Sequence, residues 1–182
     1  MHPEDIIAFV KKEIEPLPSN PPYGERYRVA ATLTDGTYLP CVVVEDSSHT
    51  VDLAIKRFHE TRKSSDPYMG YRALVRSFVT GGNTVNDYDL QDLSLSPFAI
   101  PLTRVREIGG ETSMSWTEFY ATMRDGKEFR FGTTFWVEFF NMPDGYTATD
   151  IMKIVPAVRN EKPRTDMIYR DKPFFTCYVD GL

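Results

Sequence analysis

Residues 27–44, YRVAATLTDGTYLPCVVV, decide the class of fold. Tyr27, Val29, Ala31 and Leu33 alternate onto one face, the period of a half-buried strand. Asp35-Gly36 then supplies a two-residue reversal of the kind that tolerates positive φ. The return strand runs from Thr37 to Val44 and contains Pro40. Proline has no amide to donate, so this strand is expected at a sheet edge or with a bulge.

The same grammar recurs further on. Phe119, Ala121 and Met123 alternate, Asp125-Gly126 turns the chain, and Phe129 and Phe131 alternate on the way back. Ala31-Thr32-x-x-Asp35-Gly36 matches Ala121-Thr122-x-x-Asp125-Gly126 at an offset of 90 residues. An ancient duplication of the hairpins 27–44 and 117–132 would produce the match. The ordinary chemistry of a half-buried hairpin would produce it too, and the likeness fades outside the six positions.

Around the hairpins, helices are expected at two places. In the first, Pro3 suits an opening turn, Glu4 and Asp5 complement the positive helix start, and Ile7, Val10 and Ile14 recur at helical spacing beside Ile6 and Phe9. Pro16 and Pro18 end it, and the proline-rich 16–25 reads as a connector. In the second, Ser47, Ser48 or Thr50 can cap a helix whose apolar stripe is Val51, Ala54, Ile55 and Phe58. Residues 71–79, YRALVRSFV, read as a strand. The polar stretch leading to Phe98-Ala99-Ile100-Pro101 fits an edge strand or a long loop equally well. Residues 134–140, TFWVEFF, fit strand and helix periods alike. Thr147 with Asp150 resembles a capping box that opens a short helix through Ile151, Met152, Ile154 and Val155. Residues 157–172 read as a loop or exposed arm, and Phe174 to Val179 as a closing strand. These elements together predict one α+β domain over 1–182. Its expected body is a mainly antiparallel sheet of about five to seven strands, built from hairpins and covered by two or three helices.

The 182 residues carry 21 Lys+Arg against 26 Asp+Glu, a net charge of −5, with 41% hydrophobic residues. That apolar share supports a core and argues against disorder. The absence of a basic surplus argues against a broad nucleic-acid grip, and no apolar run is long enough for a membrane helix. The opening MHPEDIIAFVKKEIEP lacks the features of a secretory signal, and Cys41 and Cys177 are far apart. The expectation is a cytoplasmic protein with two reduced, buried thiols.

Familiar catalytic signatures do not occur. Neither Gly81-Gly82 nor Gly109-Gly110 is followed by the Lys-Ser/Thr of a phosphate loop, and no GxSxG or HExxH is present. His2, His49 and His59 are the three histidines; His49 lies near Glu45 and Asp46 and suits a capping loop better than a catalytic base. Asp87, Asp89 and Asp92 make an acidic stretch able in principle to hold a hard cation. Its positions six and twelve from Asp87 are Asp92 and Phe98, which breaks the calcium-loop pattern. Arg130 beside Phe131, and Arg72 with Arg76, read as ordinary ion-pairing residues. No catalytic residue, metal or cofactor is assigned.

The most unusual segment is aromatic: Phe131, Phe135, Trp136, Phe139, Phe140 and Tyr146, with Met142. Both faces of 135–140 are bulky and apolar. Burial on both sides is one outcome. The other is an exposed interface built from Phe135, Trp136, Phe139, Phe140, Met142 and Tyr146. On that basis the functional expectation is a protein-binding module of inhibitor or immunity type, whose mild acidity would suit a basic partner. The alternative is a small metal- or carboxylate-dependent hydrolase or nucleotide-processing enzyme using Asp87, Asp89 and Asp92, or His49 with Glu45. The oligomeric state stays open.

Overall fold

The computed structural model of the chain describes residues 1–18, 24–61, 83–134, 136–159 and 162–182. Among these, the first hairpin forms as β1 (Arg26–Leu33) and β2 (Tyr38–Asp46), and the second as β4 (Thr117–Met123) and β5 (Glu128–Thr133). Each hairpin gains two further strands. β3 (Leu90–Leu95) pairs antiparallel with β1, and β8 (Phe175–Val179) pairs parallel with β2. Likewise β6 (Ile151–Pro156) pairs antiparallel with β4, and β7 (Ile168–Arg170) pairs parallel with β5.

The α+β class therefore holds, while the single antiparallel sheet is corrected to two four-stranded sheets of order β3-β1-β2-β8 and β6-β4-β5-β7. Each has one parallel pair, because its last strand returns from a distant part of the chain rather than through a tight turn. Of the two readings of the polar stretch that leads to Phe98, the edge strand forms, as β3 within it. The arm at 157–172 contributes β7.

The two sheets agree in detail. Gly36 and Gly126 both sit at φ +86°, a conformation that glycine adopts without penalty. The carboxylates just before them accept a backbone bond two residues on: Thr37 N–H donates to Asp35 Oδ1 at 2.8 Å, and Lys127 N–H to Asp125 Oδ1 at 3.2 Å. Pairing with the outer strand shifts between Thr32 and Leu33 in one sheet and between Thr122 and Met123 in the other. A short 3-10 turn precedes each outer strand, Asp87–Asp89 before β3 and Ala148–Asp150 before β6.

Pro40 lies in an interior strand, and the register of β1 with β2 shifts there, so the bulge is the device used. The capping box of Thr147 and Asp150 exists, but it opens only that 3-10 turn; Ile151 and Ile154 then pair into β6 instead of continuing as a helix. They pair in register with Met123 and Ala121 of β4, and β-branched residues favour that outcome.

Helix α1 (Pro3–Glu13) lays Ile6 and Val10 on the first sheet beside Tyr27, Val29, Val42 and Val44. Helix α2 (Ser48–Thr61) follows β2, with Val51 and Ile55 of its apolar stripe half exposed. The short α3 (Leu102–Val105) sits beside β6. There Glu107 accepts the Ile154 N–H at 2.8 Å and so occupies a donor at that sheet edge. Helical cover among the described residues is thus confined to these three helices. No helix among the described residues is long and apolar enough to cross a membrane. The expected strand 71–79, with Arg72 and Arg76, lies outside the described residues.

Candidate functional site

Residues 136–141 are neither strand nor helix; they form a wall between the sheets. Phe139 turns toward the first sheet and packs with Cys41 and Val43. Phe140 turns the other way, edge-on to Phe119 at 5.3 Å and to Phe131 at 6.0 Å. Both rings are fully buried. As direct partner contacts, Phe139 and Phe140 are therefore corrected to core. Each sheet has an inner face to cover, and one segment with alternating rings covers both. Met142 and Tyr146 pack half-buried against the second core. The Tyr146 hydroxyl donates to Asp125 Oδ2 at 2.7 Å and its ring meets Phe129 at 5.3 Å. Phe135 lies outside the described residues.

Trp136 differs from its neighbours, with 48% of its surface exposed. Its position is held from two sides. The buried Thr133 hydroxyl accepts the Trp136 N–H at 3.0 Å and donates to the Trp136 carbonyl at 2.7 Å. Phe174 meets the indole edge-on at 5.7 Å and in turn touches Phe139 at 5.8 Å. A line of rings thus runs from solvent to core.

The acidic stretch does not converge. Asp87 accepts the Tyr88 N–H, Asp89 accepts from Asn86, and Asp92 is exposed on β3. No group of three or more His, Cys, Asp or Glu among the described residues is placed to share a metal ion. Glu45 accepts from Arg26 Nε at 3.1 Å, and His49 falls in the first turn of α2. Arg130 closes on Glu118 with two bonds, Nε at 2.6 Å and Nη2 at 2.8 Å, which holds the Glu118 carboxyl below the usual range.

A second charged group went unread in the sequence. Arg28 and Glu138 are 5% and 4% exposed, deep between the sheets. Glu138 Oε1 takes Arg26 Nη1 at 2.7 Å, so Arg26 is shared by two carboxylates. Arg28 has no such share. Among the described residues its side chain donates once, from Nη1 to the Glu138 carbonyl at 3.3 Å, and its Nε has no partner. Burial pulls its pKa down to about 10, with Glu138 and Glu15 opposing that shift, so it stays cationic at neutral pH. Arg28 also lines a pocket of about 260 Å³ at the end of α1.

Signals for this group did exist. Val137-Glu138-Phe139 sets a charge inside an apolar run, and Ala30, Cys41 and Val43 make the face that bears Arg28 apolar too. Together they mark a sheet covered on both sides. Comparison with family models, with curated proteins and with solved structures returns no match for this chain.

Proposed function

We propose that the chain is a non-catalytic binding module that docks another protein through Trp136. One observation carries the reading: a half-exposed indole whose backbone is held by two hydrogen bonds to a buried threonine and whose ring is backed by Phe174. An aromatic side chain ordered before contact loses little freedom on binding, which is what interface anchors have in common. The net charge of −5 would favour encounter with a basic surface.

The test is site-specific photo-crosslinking in cells, with the reactive residue at position 136 and a control at Met114, which is 92% exposed. One protein adduct at 136 and none at 114 is the expected result. Equal adducts at both positions, or none at 136, would remove Trp136 as the anchor.

A further inference from the structure

The pocket beside Arg28 points to a ligand that the docking reading does not involve. Its floor is a desolvated guanidinium, its walls include Ile14, Leu95 and Leu102, and its exposed rim carries Glu13 and Glu15. The guanidinium has a spare donor: Arg28 Nε has no partner, and Glu138, whose Oε1 takes Arg26, leaves its own Oε2 unpaired rather than meeting it. A planar fork of this kind matches a carboxylate. The equivalent position in the second hairpin, 90 residues on, is Glu118, whose charge is fully met by Arg130. Among the described residues, the buried side-chain atoms left without a partner are Arg28 Nε and Glu138 Oε2, both beside the first sheet.

The rim sets a second condition. A plain anion entering the pocket would pass Glu13 and Glu15. Their described partners are Lys12 at 2.8 Å and Arg106 at 3.3 Å, both exposed pairs of the weakly held kind. A ligand ammonium can replace them. Glu15 and Arg28 line the same pocket, so one small molecule can reach both. At about 30 Å³ per water the space is that of roughly eight or nine water molecules.

We propose that this pocket binds a small zwitterion with an apolar body, a free aliphatic α-amino acid, with its carboxylate on Arg28 and its ammonium toward Glu13 and Glu15. The aliphatic side chain lies against Ile14, Leu95 and Leu102.

Calorimetric titration of the full chain tests this with four probes: L-leucine, 4-methylpentanoate (no ammonium), 3-methylbutylamine (no carboxylate) and glycine (no body). Leucine is expected to bind at least tenfold more tightly than each of the others. Arg28→Lys, which keeps the charge but loses the fork, should weaken leucine at least tenfold. Because Arg28 is buried, the exposed variants Glu15→Gln and Leu95→Trp provide the same check without disturbing the interior, each lowering affinity for leucine. Equal binding of leucine and 4-methylpentanoate would overturn the zwitterion assignment. No heat and no backbone amide shifts at Ile14 and Ser96 with about 10 mM leucine, weaker than the millimolar range, would overturn the site.

Discussion

Phe140→Ala and Trp136→Ala should part company by about 1–4 kcal/mol, although the two rings are four residues apart. Phe140 is fully buried and meets Phe119 and Phe131 edge-on. Removing it costs the transfer of the ring plus the void it leaves, about 3–5 kcal/mol. Trp136 is only half covered and, among the described residues, meets one ring, that of Phe174. Its loss should cost about 1–2 kcal/mol, roughly half the burial term and one edge contact. For a chain of this size each kcal/mol moves Tm by about 2–4 °C. The Phe140 variant should therefore melt roughly 6–20 °C lower and the Trp136 variant no more than about 8 °C lower. Urea unfolding followed by far-UV circular dichroism gives the free energies, and a differential scan gives Tm. If Phe140→Ala lost under about 1 kcal/mol, or if the two variants lost the same amount, the division of this wall into buried core and exposed mount would be wrong.

Three further outcomes are expected. A Cβ on Gly132 would lie 2.2 Å from Trp116 Cζ2 and 2.7 Å from Ile168 Cδ1, so Gly132→Ala should lose about 1–3 kcal/mol by overpacking, read by urea unfolding, with partial recovery when Trp116→Phe is added. Arg130 first, and then Trp116, hold the Glu118 carboxyl below its ordinary pKa. That ion pair supports the fold fully above the usual glutamate value of about 4.3, and its support fades as the pH falls through the depressed value. Tm measured from pH 7 downward should show Glu118→Gln trailing the parent at neutral pH and meeting it in acid; a constant gap would contradict the assignment. Burial pushes the Cys41 and Cys177 thiols up to about 11 and about 12. A disulfide reagent at pH 8 should therefore find neither thiol until denaturant is added, and rapid labelling of the native chain would mean that the strands open.

The hairpins could be read from the sequence because their signals are local. Alternation about Asp35-Gly36 and Asp125-Gly126 needs no knowledge of the rest of the molecule, and of the edge or bulge that Pro40 called for, the bulge formed. The parallel strands could not be read in this way. Ile168–Arg170 has no period of its own and becomes a strand only because β5 offers an edge. Thr147 and Asp150 gave the right cap, but the conformation of the residues after a cap is decided by the tertiary partner, here β4. The aromatic set misled for a related reason. Two-sided apolarity in 135–140 looked like surplus, because a single sheet was expected; with two sheets the second face has a use. Arg28 sits at an outward position of β1 that would be solvent-facing in a one-layer design, so its burial comes from the same missing layer.

Both sheets are finished by a short tail of the chain. β7 and β8 lie within residues 168–179, and each supplies the fourth strand to a different half. A ribosome that has released residues 1–165 has handed over neither closing strand, however early the two hairpins have zipped. The halves thus reach completion almost simultaneously, and a protease cut after β6 would leave both of them unlatched rather than freeing one intact unit.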